Sequence, residues 1–369
     1  MKRMARARIG IALALLSGLG LAAFAARFGP AFSFSLALAL PRTEPWLRPL
    51  FPEPTREEIL LPTHGRILRA DLYRPVVPRN AFLLVHGLSR AGRRHPELVR
   101  LARLLAQHGQ LVLVPEFEEL ATFRLSGREV EEIRSALRLL GRLSDRVGIA
   151  GFSFGAGPAL LAAADHPDLR LVASFGGYAD LRHVIAYITT GVHTFHGRRY
   201  VQRQEEYNRW KLLALLVGFV ENERDRKLLH AIADRKLANP SEPTDALQAT
   251  LGEEGKNILT LILNRSEEAV GPLLTRLSPR AREALHQLSP LPVVPRLSGR
   301  LLIAHGVEDD SIPFTESLRL AEASSDRAQV TILQTFQHTG PQRFWQSFSQ
   351  RAQDGWSLFR LVDDLLTVQ

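Results

Sequence analysis

The stretch "VGIAGFSFGAG", residues 147–157, runs an apolar segment into a serine fenced by Gly151 and Gly155, then into more small residues. The pentapeptide alone says little, because at average usage G-x-S-x-G arises by chance in roughly one chain in ten of this size. Its setting says more. The residues before Ser153 read as a buried strand, and 154–165 read as a helix of small residues. A tight strand-to-helix turn at that point thrusts a side chain out of the carboxyl edge of a sheet. Glycines suit positions 151 and 155, since a Cβ at either would clash with the elements the turn brings together. The helix that follows aims unpaired N–H groups and its positive end at the serine.

Outward from this turn, strands alternate with helices. "AFLLVHG" reads as a strand, 96–108 as an amphipathic helix, "LVLVPEF" as a strand, 127–143 as a helix and "RLVASFGG" as a strand. Upstream, short β-rich runs at 58–61 and 66–73, joined by "PTHG", suggest an antiparallel pair. Between about 180 and 295 the alternation stops, leaving helical periodicity and no convincing strand. It returns with "RLLIAHG", a helix over 314–324, the strand "QVTILQTF" and a closing helix from about 341. The pattern predicts an α/β fold: a mostly parallel central sheet, helices on both faces, and an α-helical cap inserted after strand 6. The expected divisions are 1–45 (anchor or signal segment plus linker), 46–180 (core, first part), 181–297 (cap) and 298–369 (core, second part).

A serine hydroxyl is a weak nucleophile until a base takes its proton and an acid orients that base. "LLIAHGVEDDSIP" supplies Asp309 just beyond a strand, and "TILQTFQHTG" supplies His338 just beyond the next. The chain order Ser153, Asp309, His338 is the one α/β-hydrolases use. Asp310 competes with Asp309 and suits a helix cap equally well. Asp180, after "SFGGY", is the second candidate for the acid. His86 and His305 read as structural loop residues. "HTFHG" at 193–197 invites a metal reading, yet no carboxylate or further histidine stands at a familiar ligand spacing. No metal site is expected.

With these residues in place, the sequence resembles the α/β-hydrolase superfamily, in particular its prolyl-oligopeptidase-like and dienelactone-hydrolase-like serine hydrolases. Three motifs carry the resemblance: His86-Gly87 after the third strand, G-x-S-x-G at 151–155, and H-G-x-x-D-x-x-[VI]-P at 305–313, whose spacing selects Asp309. It covers roughly 58–366, the insertion matching only in placement and helical character. An acyl transfer also needs donors for the developing oxyanion. The backbone N–H of Phe154 is expected to supply one, and that of Leu88 the other.

The amino end has a different character. Lys2, Arg3, Arg6 and Arg8 precede an uncharged run over 9–26, about the minimum length for a helical membrane span. The basic flank favours a cytoplasmic N-terminus, with everything after the span on the outer face. The competing reading is a signal peptide cleaved near Ala23-Phe24-Ala25, which would release a secreted protein. The expectation is a single uncleaved N-terminal anchor, since the apolar run is long for a signal core and "FGPAFSFSLALALP" prolongs it.

The 369 residues include no cysteine, which excludes disulfides, thiolate metal sites and cysteine nucleophiles. The formal charge of +9 comes from arginines scattered among acids, with only five lysines and no recognisable nucleic-acid motif. No nucleic-acid partner is expected. The sequence therefore predicts a serine hydrolase of a carboxylic ester or related acyl compound, working through an acyl-enzyme without metal or organic cofactor. Its partners would be a small-molecule acyl substrate, with lipid-like esters among the candidates, and a membrane. A peptidase or acyltransferase would use the same residues, and a membrane-tethered binding protein without chemistry is the alternative of another class.

Overall fold

The structure is a computed structural model describing residues 2–63, 65–334, 336, 337, 340, 341 and 348–367, with 2–17 and the described residues from 336 to 352 given by backbone alone. The chain opens with one long helix, α1 (Lys2–Ala39), and a single turn, α2 (Glu44–Leu47). An antiparallel pair follows, β1 (Thr55–Thr63) and β2 (Arg66–Arg74), as the two β-rich runs predict. Then strands and helices alternate: β3 (Asn80–Val85), α3 (Pro96–Gln107), β4 (Gln110–Pro115), a turn α4 (Glu118–Ala121), α5 (Arg128–Leu143), β5 (Val147–Phe152), α6 (Ala156–Ala163) and β6 (Leu171–Phe175).

The cap occupies the interval after β6. It holds α7 (Leu181–Thr190), a hairpin of β7 (Val192–Phe195) and β8 (Arg198–Val201), α8 (Glu206–Val217), α9 (Glu223–Ala238), α10 (Asp245–Gln248), α11 (Glu253–Leu263), α12 (Glu267–Thr275) and α13 (Pro279–Gln287). The core resumes with β9 (Arg300–Gly306), α14 (Phe314–Ala323), β10 (Ala328–Leu333) and α15 (Phe348–Leu366).

Eight strands form one sheet in the order β1-β2-β4-β3-β5-β6-β9-β10. β1 and β2 are antiparallel to each other, β2 is antiparallel to β4, and the remaining neighbours are parallel. This is the α/β-hydrolase fold. Strands β3, β4 and β5 are near-continuous apolar runs because helices cover both faces. On one face Ile133, Leu137, Leu160 and Leu320 from α5, α6 and α14 pack with the cap's Leu212 and Leu216. On the other, Leu98 and Leu105 of α3 meet Leu358 and Leu361 of α15.

Two findings differ from the sequence reading. The cap is not wholly helical, because β7 and β8 form a two-stranded hairpin at "VHTFHGRRYV". Its turn residues His196 and Gly197 sit at φ 47° and 76°, the paired positive φ that a tight hairpin demands, and alternating β-branched and aromatic residues supply the strands. The amino end is also not separate from the globular fold. Ala31, Phe34 and Ala37 form a buried stripe against α3 and α15, and Phe34 is fully buried, worth about 2–3 kcal/mol. The Phe34 ring meets His108 edge-on at 5.2 Å, and Ser33 Oγ lies 3.1 Å from His108 Nε2. Residues 18–27, by contrast, are exposed.

Candidate active site

β5 delivers Phe152 to the carboxyl edge of the sheet, and the chain reverses at once into α6. Ser153, at that reversal, has φ 51°, a left-handed conformation that L-residues adopt only at a cost of about 1–2 kcal/mol. The glycines make the reversal possible. A Cβ on Gly151 would lie 2.5 Å from Ala156 Cα and 2.8 Å from Ala159 Cβ, and one on Gly155 would collide with the His86 carbonyl. Gly157 is constrained in the same way by the hydroxyl of Tyr178, which donates to the Leu288 carbonyl at 3.0 Å and so joins the turn to the cap.

The loop after β3 is pressed against the serine. A Cβ on Gly87 would sit 2.9 Å from Ser153 Cβ and 3.4 Å from its Oγ. The H-G pair thus brings backbone, not the imidazole, to the side of Ser153. His86 is buried, and burial pushes its pKa down to about 4, so the ring is neutral. Its Nδ1 donates to the Gly87 carbonyl at 2.9 Å, and its Nε2 accepts from the Phe117 N–H at 3.1 Å. A trans peptide points its N–H opposite its C=O. With the Gly87 carbonyl turned to His86, the Leu88 N–H is turned away from it. That positioning role was hidden in the sequence, where His86 offered no signal beyond its place before a glycine.

Asp309 lies just past β9 and is buried. Its Oδ1 accepts the N–H groups of Ser311 and Ile312 at 2.9 and 3.0 Å, and Tyr187 Oη donates to its backbone carbonyl at 2.6 Å. Its Oδ2 faces the end of β6, where Gly176 has φ 60° and a Cβ would come within 3.4 Å of that oxygen. Since β6 lies beside β5, with Phe175 opposite Phe152, the carboxylate and Ser153 share one corner of the sheet. Asp310 is half-buried, and its backbone carbonyl accepts from Asn208 Nδ2 of α8 at 3.0 Å.

The other candidates have structural employment. Asp180 caps α7 through the Arg182 N–H at 2.9 Å and is chelated by the Arg182 guanidinium. Burial pushes its carboxyl up, but the Arg182 contacts outweigh this and hold it below the usual range. His305 is buried, with Nδ1 2.7 Å from Ser317 Oγ and Nε2 2.9 Å from the Ile312 carbonyl, which leaves Nε2 3.4 Å from Asp309 Oδ2. His193 sits 3.0 Å from Thr315 Oγ1 and stacks on Tyr200, and burial lowers its pKa to about 4. Among the described residues no cluster of three or more His, Cys, Asp or Glu is arranged to hold a metal. His338 lies outside the described residues, in the segment that follows β10, the strand beside β9.

Above this corner stands α8 of the cap. Asn208 bridges Asp310 and Ser311, whose Oγ donates to Asn208 Oδ1 at 3.2 Å. One turn on, burial lowers the pKa of the Lys211 amine, while Asp310 and Asp309 draw it back up. Neither residue belongs to a motif. Only their helical spacing, three apart on one face of an insertion, could have paired them.

No family model and no curated protein matches the chain. Among solved structures it is similar to the Pyrococcus horikoshii acylaminoacyl peptidase, at 14% identity and TM-score 0.47, over 80% of this chain and 39% of that one. It is similar to a Pyrococcus furiosus esterase at 13% identity and TM-score 0.47, covering 86% and 94% of the two chains. An alpha/beta hydrolase from a Penicillium species gives 13%, 0.49, 83% and 98%. At such identities the neighbours' activities do not carry over, and the functional reading rests on the residues at the carboxyl edge.

Proposed function

We propose that this chain is a serine hydrolase of a small carboxylic ester, with Ser153 as nucleophile, His338 as base and Asp309 as the acid that orients it. The observation that carries the reading is the left-handed Ser153 at the end of β5, with Gly87 of the neighbouring loop packed against its side chain and a buried carboxylate at the same corner. A packed structural serine has no need of that strain.

In this reading the Ser153 oxygen attacks the carbonyl carbon while its proton passes to the His338 imidazole. The oxyanion takes hydrogen bonds from the Phe154 and Leu88 N–H groups. The carbon–oxygen bond of the leaving alcohol breaks as the imidazolium returns its proton to that oxygen. Water then attacks the acyl-enzyme by the same route and frees Ser153. A fluorophosphonate probe tests the nucleophile. Wild type is expected to label covalently, and Ser153→Ala and His338→Ala, folded by circular dichroism, are expected not to. Unchanged labelling of Ser153→Ala, or none of folded wild type, overturns the proposal. Chromogenic esters of graded acyl length, run against aminoacyl amides, then separate esterase from peptidase.

The same reading includes an anchor. The uncharged run over 9–26 lies within α1, ahead of the part of that helix packed in the core, and its exposed side chains include Leu19, Leu21 and Phe24. At 1.5 Å per residue, 18 residues extend about 27 Å, close to the thickness of a bilayer's hydrocarbon.

A further inference from the structure

The helix that would cross the bilayer is continuous with the helix packed in the core, so its direction sets how the domain faces the membrane. α3 and α15 both run from the carboxyl edge of the sheet to its amino edge, where the parallel strands begin. α1 runs against them. Arg27 Nη2 donates to Asp363 Oδ2 at 2.9 Å, in the last turn of α15, and Ser33 meets His108 at the end of α3. Further along, the Ala37 carbonyl accepts from Arg100, nearer the start of α3 than His108. Residues before Arg27 therefore leave the domain past the amino edge, the end opposite Ser153.

That amino edge is lined with guanidinium groups. Arg79, Arg146, Arg170 and Arg327 each stand directly before a parallel strand, and Arg300 begins one, so five of the six parallel strands start at an exposed arginine. Among the described residues only Arg300 of these five pairs with a carboxylate, Asp364, while Arg327 donates to the Pro295 and Leu297 carbonyls. Asp145, Asp168, Asp326, Asp363 and Asp364 share the edge, and against these five acids stand the five arginines together with Arg27 and Arg138. A groove of about 770 Å³ opens there between Arg138, Arg170 and Arg300. Beside the exit of α1, the β2–β3 loop holds out Val76 and Val77, each 68% exposed, and they share a second cavity with Pro30.

We propose that this edge is seated on the phospholipid surface, with the arginines on headgroup phosphates and Val76 and Val77 in the interfacial layer, and that the catalytic corner opens away from the membrane. The proposal rests on α1 being the anchor. An apolar helix leaving through a ring of arginines with two exposed valines beside it matches a bilayer's order of hydrocarbon, interface and phosphate. The seven residues from Arg146 to Ser153 put the nucleophile roughly 23 Å above that surface at strand rise. An ester dissolved in the membrane is then not delivered to the site. The substrate comes from the aqueous side, which replaces the lipid-like ester of the sequence reading with a water-soluble one.

Because the chain has no cysteine, single-cysteine probes report one place each. Full-length Val77→Cys and Ala91→Cys, carrying an environment-sensitive fluorophore, are bound to vesicles of phosphatidylcholine alone or with about a third phosphatidylglycerol. Flotation reads the anchor separately. The probe at 77 is expected to brighten about threefold on the anionic vesicles and to dim in high salt, with the probe at 91 unchanged. Adding Arg79→Gln, Arg146→Gln and Arg170→Gln to Val77→Cys should abolish the brightening while flotation persists. A chain that does not float with neutral vesicles overturns the anchor, and this proposal with it. A floating chain whose probe at 77 ignores anionic lipid, or whose probe at 91 responds instead, overturns the seated edge alone.

Discussion

The carboxyl edge of the sheet is packed to contact around Ser153, while the amino edge is charged and open in part. At the first, Gly87, Gly151, Gly155 and Gly157 have no room for a methyl group, and Ser153 holds a strained backbone. At the second, room is uneven: a Cβ on Gly299, just before β9, would lie 2.6 Å from the Leu169 carbonyl oxygen, but Gly141 in the last turn of α5 has nothing within 4 Å of where a Cβ would go, and long arginines reach into solvent. Both edges join the same strands to the same helices, so topology does not explain the contrast. At the carboxyl edge the steric demand is concentrated in the reversal that exposes Ser153. The other edge is crowded where β9 starts beside β6 and elsewhere presents charge, which in the reading above is drawn to phosphate.

The largest expected effect tests whether the acid is where the packed edge puts it. Asp309→Asn should lower kcat by about 10³–10⁴-fold, as loss of the orienting carboxylate does in serine hydrolases, while Asp310→Asn stays within about threefold. Steady-state kinetics on a chromogenic ester checks this, and equal losses would move the role off Asp309. Next comes the glycine contrast. Gly155→Ala should destabilise by about 2–4 kcal/mol and abolish turnover, because its methyl meets the His86 carbonyl. Gly141→Ala, at the open edge, should stabilise by up to about 1 kcal/mol. Chemical denaturation of the pair, with the same sign for both, would erase the distinction between the edges.

A smaller effect concerns Glu132 of α5, buried with Oε2 unpartnered among the described residues and Arg66 only 3.7 Å from Oε1. Burial, opposed by Arg66 and helped by Glu129 and Glu119, raises its carboxyl from 4.5 to about 7. The folded state then holds a proton that the unfolded chain has released, so wild-type stability falls as pH rises from 4.5 through 7. Glu132→Gln should remove that slope, gaining about 1–3 kcal/mol above pH 7 and nothing below 4.5. Denaturant midpoints at the two ends of this window decide it.

Legibility in the sequence followed distance along the chain. The turn at Ser153 was readable because its cause is local: a strand, a serine and two glycines within eleven residues. The choice of Asp309 over Asp310 came only from the motif of the resemblance at 305–313; burial of Asp309 at the corner shared with Ser153 and the tie of Asp310 to the cap are matters of tertiary contact. The hairpin of β7 and β8 went unread, since four-residue strands inside a helical insertion lack the length for period 2 to stand out. The core-packed part of α1 was unreadable for another reason. Alanine, leucine and phenylalanine serve lipid and protein interior alike, so composition alone could not assign residues 30–39 to α3 and α15.

The alternation of strands and helices along the chain and the turn at Ser153 were therefore written in short-range pattern, because helix and strand periods and the steric needs of a tight reversal act over a few neighbours. Contacts between distant residues decided the rest. The peptide after Gly87 is aimed by the His86 ring, Asp309 is brought beside β5 by sheet pairing across a cap of more than a hundred residues, and α1 is divided between core and solvent by which helices it meets. Those arrangements depend on packing surfaces that exist only once the sheet has assembled.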